Sequence, residues 1–321
     1  VTPGARSEPA SGISPSFPRD ALQSVDCGLC GSAESELKFT DGPFSVVTCA
    51  MCDVTYVTPR LLDASLIESV YDESYWNSSE AKVHGYSDYR ADAPLYKRTY
   101  RDRLTILNRY FDSNKRSDGT PRRVLDIGCA AGYFLSVMQE EGWDVTGLEP
   151  SDAIRIQAEK ELGVGNVRGG LLGVNDDLIE GAFDLVTFWD VIEHIPDPRA
   201  ALVRARELLA PGGLLIVETQ DVESRAEKIL GKKWQHYKHA EHIYHFNKKT
   251  LSRLLDEAGF APLENSGRHG GKYVTFSFVV ERVGRIHPLL SMLAAPLRLI
   301  GNKALYINLF DEMIVVAKPK D

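Results

Sequence analysis

The sequence predicts an α/β protein: a doubly wound, mostly parallel seven-stranded sheet behind a small N-terminal zinc ribbon and a helical lid segment. Three observations lead there. Apolar runs of strand length alternate with helical patterns from Arg123 onward. One of them, Val124–Ile127, passes through Gly128-Cys129-Ala130-Ala131-Gly132 into Tyr133-Phe134-Leu135, a strand–turn–helix of the kind that brings backbone close to a nucleotide. Four cysteines pair as Cys27-x-x-Cys30 and Cys49-x-x-Cys52, within the range for a four-thiolate site.

In chain order, residues 1–22 are rich in Pro, Ser, Ala and Gly without hydrophobic period, and read as a flexible tail. Residues 23–58 form the cysteine module, with strands expected at Leu37–Thr40, Phe44–Thr48 and Val54–Val57. Two Cys-x-x-Cys turns complete a tetrahedron of thiolates, and the segment is too small to fold on its own core, so bound metal supplies its folding energy. Disulfides suit a reducing compartment poorly, and a redox Cys-x-x-Cys wants a βαβ context. Residues 59–119 turn helical and tyrosine-rich, with Tyr71, Tyr75, Tyr86, Tyr89, Tyr96 and Tyr100. Such stripes serve packing more often than function, but here they could also close over a site.

The main domain is expected over residues 120–321. Strands are read at Arg123–Ile127, Asp144–Glu149, Asn166–Gly169, Phe183–Trp189, Leu214–Glu218, Tyr273–Glu281 and Met313–Ala317. Helices are read near Tyr133–Glu141, Ala153–Glu161, Pro198–Leu209 and Thr250–Ala258, with Gly142, Gly212-Gly213 and Gly259 where helices should end. An apolar insertion covers about residues 284–304.

Net charge at pH 7 is −8, which opposes tight nucleic-acid binding. No signal-peptide pattern opens the chain and no apolar run is long enough to span a bilayer, so the cytoplasm is the expected location. The stretch Ile286–Ile300 is strongly apolar and flanked by Arg282, Arg285, Arg298 and Lys303. It fits an interfacial helix at the inner face of a membrane, although packing on the domain or a dimer mate is the commoner fate of such a stretch. The oligomeric state stays open.

Asp126 selects the nucleotide. A carboxylate beside the glycine turn repels a pyrophosphate and suits a ligand bearing an ammonium and a sulfonium, while Glu149 ends the next strand where ribose hydroxyls are usually held. Cys129 reads as a small turn residue rather than a nucleophile.

These residues carry a resemblance. Val124–Leu135 with Gly147-Leu148-Glu149-Pro150-Ser151, then Phe183–Ile195 and Ala210–Glu218, resemble the ordered motifs of class I S-adenosylmethionine-dependent methyltransferases. The resemblance implies a Rossmann-like methyltransferase fold with S-adenosylmethionine as cofactor. Asp126 would lie near the methionine amino group. Gly128, Ala130 and Gly132 would pass close to the cofactor, followed by Tyr133 and Phe134. Glu149 would hold the ribose, with Pro150 beside it. Leu171 would flank the adenine, and Trp189 and Asp190 would line the methyl-donor side. Ala130 stands where many members have glycine.

Glu241-His242 followed by Tyr244-His245-Phe246, behind a cysteine zinc module, resembles the active-site stretch of zinc-containing sugar C-methyltransferases. Quinone-type small-molecule O-methyltransferases share the Glu193-His194 motif. The expected function is therefore methyl transfer to a hydroxyl or activated carbon of a small, glycosidic or lipid-linked acceptor. His242 is the candidate base, Glu241 its orienting partner, Tyr237 or Tyr244 stands nearby, and His194 is the second candidate. His236, His239, His242 and His245 recur every third residue, and on a helix or a strand they cannot all point one way. Competing readings are an inactive nucleotide-binding scaffold whose zinc module binds a partner, a nucleic-acid or protein methyltransferase, and a dehydrogenase. The last is opposed by Asp126 and the lack of a full Gly-x-Gly-x-x-Gly.

Overall fold

The computed structural model describes residues 21–61, 71, 73–76, 89–174, 179, 181–286, 288–300 and 303–320. The tail expected over residues 1–22 lies almost wholly outside the described residues, as do Tyr86 and much of the segment around it.

The chain opens with β1 (Leu22–Gln23), β2 (Ser35–Asp41), β3 (Phe44–Cys49), β4 (Thr55–Thr58) and β5 (Arg60–Leu61). β1 pairs with β5, while β2, β3 and β4 form an antiparallel meander. Helix Ala93–Leu107 then leads to β6 (Arg123–Ile127), β7 (Asp144–Leu148), β8 (Val167–Arg168), β9 (Phe183–Trp189) and β10 (Leu209–Gln220). β11 (Tyr244–His245), β12 (Phe260–Ser266), β13 (Lys272–Thr275), β14 (Ala304–Ile307) and β15 (Glu312–Pro319) complete the strands.

Seven of these build the central sheet in the order β12-β15-β10-β9-β6-β7-β8. β8, β7, β6, β9 and β10 run parallel, and β15 runs against its neighbours. Every residue of β9 is buried, as a strand covered on both faces requires. Because the chain winds from β6 out to β8 and resumes at β9 on the other side of β6, the crevice beyond the carboxyl ends of β6 and β9 is the switch point where such sheets bind ligands.

Helix starts follow local chemistry. Asp197 accepts the Ala200 N–H ahead of Pro198, and Asn247 and Thr250 form a reciprocal cap on helix Lys248–Glu257. Two expectations need correction. The stretch 273–281 is no single strand: β13 stops at Thr275 and helix Phe276–Ile286 begins, since Phe276, Val279, Val280 and Val283 recur at helical spacing. The sixth strand of the sheet is β12. Pro262 and Glu264 disguise it, and they are tolerated because β12 is an edge strand with a register shift between those two residues. Gly212-Gly213, expected at a helix end, lies inside β10 at its register shift; helix Pro198–Leu208 has already stopped.

β4 also pairs with β11, so the sheet of the cysteine module, in the order β11-β4-β3-β2, takes in a strand of the main domain. Cys27, Cys49 and Tyr56 share one apolar core with Val186, Val217, Phe246 and Leu251.

Candidate active site and cysteine module

A cavity of about 1170 Å³ opens at the switch point. Asp126, at the end of β6, is 3% exposed and accepts the Thr187 hydroxyl at 2.6 Å. Glu149, just past β7, accepts the N–H groups of Ala130 at 2.9 Å and Ser151 at 2.8 Å. Burial pushes the Asp126 carboxyl up to about 8 and that of Glu149 up to about 7. Among the described residues neither forms an ion pair. Two buried carboxylates without a cation of their own fit a ligand that brings a positive charge and hydroxyl donors.

Gly128 has φ +66°, and a Cβ there would lie 2.7 Å from Val191 Cγ2, so only glycine fits this turn. Ala130 also adopts a left-handed φ, +47°, which glycine would reach without strain. Ala130, Tyr133, Pro150, Leu171, Trp189 and Asp190 line the cavity, as the sequence suggests. Gly132 and Phe134 do not. One step round the helix from Tyr133 turns Phe134 into the core, where it packs against Tyr100 and Trp189. Gly132 instead faces Leu162 and Ala158. Cys129 is buried, and desolvation holds its thiol well above the ordinary range, which opposes a nucleophilic role.

His194 and His242 meet in the cavity wall with ring centroids 4.7 Å apart. Tyr71 Oη and the Glu241 carbonyl each lie within hydrogen-bond reach of His194 Nδ1, at 2.7 and 2.8 Å. Glu193 is fully buried; Thr219 donates to its Oε2, while its Oε1 accepts no hydrogen bond and lies 4.0 Å from His194 Nε2, and burial followed by repulsion from Asp190 pushes it up to about 8. His242 Nδ1 is likewise buried without a partner. Burial, then the neighbouring His194, holds the His242 imidazole neutral, well below its ordinary pKa. Glu193, His194 and His242 each offer an atom within 4.8 Å of the others, an arrangement able to take up a proton or a divalent cation.

Glu241 does not orient His242 through its side chain. Its carboxylate accepts from Tyr75 at 3.0 Å and Lys238 at 3.2 Å. Tyr237 donates to Glu227 at 2.8 Å and Tyr244 to the Pro196 carbonyl at 3.0 Å, so neither hydroxyl points at His242. The four histidines do not converge among the described residues, although the stretch that carries the first three is neither helix nor strand. Trp234–Ile243 is coiled in turns rather than helix or strand, which lets His236, His239 and His242 all reach the cavity. They still serve separate partners: His236 faces Asp311 at 3.3 Å and His239 faces Asp41 at 3.4 Å. His245 is buried beside Gln220 and Tyr237. Of the tyrosine-rich segment, Tyr71, Tyr75, Tyr89, Tyr96 and Tyr100 do line the cavity.

The sequence reading missed a polar floor. Lys272 Nζ bridges Asp190 and Glu312, 2.7 Å from each, and Arg103 pairs with the fully buried Glu218 at 2.5 Å. Burial alone would raise Asp190, yet Lys272 holds it below its ordinary range. The only sequence signal was Lys272 itself, a cation directly after Gly270-Gly271.

In the cysteine module, Cys27 Sγ lies 3.4 Å from Cys52 Sγ and Cys30 Sγ 3.5 Å from Cys49 Sγ, with all four within 4.8 Å and no disulfide. A left-handed residue follows each pair, Gly31 at φ +73° and Asp53 at φ +59°. Four converging thiols fit a tetrahedral zinc ion. The module is docked by Val57 N–H on the Ile243 carbonyl, Arg253 on the Cys52 carbonyl, and Lys249 on Asp53. A Cβ on Gly28 would fall 1.9 Å from Tyr244 Oη, so glycine is needed where the first cysteine turn meets β11.

The sheet order and the paired carboxylates at its switch point define a class I S-adenosylmethionine-dependent methyltransferase. The chain belongs to the methyltransferase domain family, whose model matches residues 96–265. It is 32% identical over 168 residues to the ubiquinone biosynthesis O-methyltransferase of Bordetella avium, across 47% of this chain and 66% of that one. To the enzyme of the same name from Pectobacterium atrosepticum it is 33% identical over 119 residues, across 35% of this chain and 49% of that one. The chain thus spans from about half to just under two thirds of the length of these relatives. A crystal structure of a SAM-dependent methyltransferase from Archaeoglobus fulgidus aligns with a TM-score of 0.41 at 20% identity, covering 70% of this chain and 98% of that one.

Proposed function

We propose that this chain transfers the methyl group of S-adenosylmethionine to a hydroxyl of a small acceptor in the cavity, with His242 as base. When bound, S-adenosylmethionine supplies an electrophilic methyl group for in-line displacement. Asp126 would hold its ammonium and Glu149 its ribose. Proximity and alignment then account for most of the rate. A neutral, buried imidazole with an unpartnered nitrogen in the cavity wall is the observation that carries the assignment. His194, anchored by Tyr71 and the Glu241 carbonyl, positions His242 ring to ring. The names of the curated relatives favour oxygen over carbon as the methylated atom.

The assay offers quinols, sugar nucleotides and lipid-linked glycans and reads S-adenosylhomocysteine release. Release with quinols or sugar hydroxyls supports the reading and names the acceptor. Calorimetric binding of S-adenosylmethionine with no release from any acceptor favours the scaffold alternative, and no binding at all contradicts both readings.

The carboxyl pair sets a pH dependence for cofactor binding. In the free chain Asp126 and Glu149 keep their protons up to about 8 and 7, whereas a cationic ligand favours their ionised forms. Binding should therefore expel protons near neutrality, and Kd should rise as pH falls below about 7, by up to about tenfold per pH unit for each carboxyl. Calorimetry in buffers of different ionisation enthalpy checks this. A Kd flat between pH 5 and 8 contradicts it.

A further inference from the structure

Between β13 and β14 the chain leaves the main domain as a helical excursion, Phe276–Ile286 and Pro288–Ala294 followed by a 3₁₀ turn Ala295–Ile300. Its two sides differ. Phe278, Val279 and Val283 line the cavity. On the second helix Leu289, Met292 and Leu293 are 61%, 72% and 79% exposed. The spacing i, i+3, i+4 places them on one face, so an apolar stripe looks outward. Beyond β14, Leu309 is 50% exposed and also reaches the cavity, adding apolar surface to its rim.

The charge of this segment is opposite to that of the chain as a whole. Residues 282–303 hold four lysines and arginines and no acid, in a chain of net charge −8. Exposed apolar side chains on a basic segment match an anionic headgroup layer. They match a second copy of the same stripe poorly, because a two-fold contact would bring like charges together. No described helix is long and apolar enough to cross a bilayer, so the contact is to a surface.

We propose that the 276–300 hairpin seats the chain on an anionic lipid surface through Leu289, Met292 and Leu293. Since the same hairpin walls the cavity, an acceptor with an apolar tail would enter from the bilayer with its reactive head toward His242. That last step rests on the proposed methyl transfer; the lipid contact does not.

The test sediments the 321-residue chain, purified with added zinc, with vesicles of phosphatidylcholine alone or with phosphatidylglycerol. The expected result is about tenfold more chain on the anionic vesicles, falling as salt is raised. Leu289→Glu/Leu293→Glu should abolish that binding while melting temperature and calorimetric affinity for S-adenosylmethionine stay unchanged. Absence of wild-type binding, or binding unaltered in the variant, overturns the proposal. So does a wild-type dimer by light scattering that the variant turns monomeric without any lipid binding. Vesicle binding without methyl transfer to any acceptor would retain the surface and remove only the function proposed above.

Discussion

Replacing His242 with alanine should lower kcat by about 10²–10⁴-fold, the range for loss of a positioned general base. Affinity for S-adenosylmethionine should change little, because Asp126 and Glu149 sit on β6 and beyond β7 whereas His242 belongs to the turns before β11. His194→Ala is the companion variant. If His194 only positions, its loss is smaller and part of the rate survives; the opposite ranking exchanges their roles. The pH behaviour gives a second readout. Burial and then His194 keep the His242 pKa well below 6.5, so the base stays neutral and competent when pH drops somewhat under that value. Stability follows the same sign: the unfolded chain takes up a proton near 6.5 that the folded His242 refuses, so wild-type stability declines as pH falls through that value. Urea titrations at pH 5.5 and 7.5 should show a smaller acid loss in His242→Ala than in wild type.

The second large effect concerns the metal. Structural zinc contributes about 10–16 kcal/mol to small zinc-binding modules, as much as the net stability of a whole domain. Chelation, or Cys49→Ser, should therefore unfold residues 27–58. The damage should spread, because β4 supports β11 and the module's Val57 N–H holds the Ile243 carbonyl next to His242. The expected pattern is a marked fall in melting temperature and in kcat, with calorimetric Kd for S-adenosylmethionine nearly unchanged. Metal analysis should find one zinc per chain in wild type and none in the variant. A zinc-free chain of unaltered melting temperature would refute the structural role.

The switch-point side of the cavity was legible because it is local: a strand, a tight turn and a helix within Val124–Leu135, and Glu149 one strand later. The cysteine spacing was legible for the same reason. What escaped depends on pairings across long stretches of chain. β4 meets β11, Tyr75 reaches Glu241, and Lys272 spans Asp190 and Glu312, none of which any window of sequence displays. β12 escaped through composition, since an edge strand accepts the proline and glutamate that argue against a central one. Phe134 lies outside the cavity wall because the motif fixes the turn, whereas the helix it opens rotates each following side chain by its own period.

Trp76, Trp189 and Trp234 all line the cavity, while Trp143 packs against Phe111 away from it. Three of the four tryptophans are therefore optical probes of one chamber. Trp189 packs against Phe134 and Tyr100, and Trp234 against His236 and Tyr237. Unlabelled chain should thus report occupancy by its own emission. Trp189→Phe and Trp234→Phe would separate the signal of the methyl donor from that of the acceptor, making the order in which the two enter measurable by stopped flow.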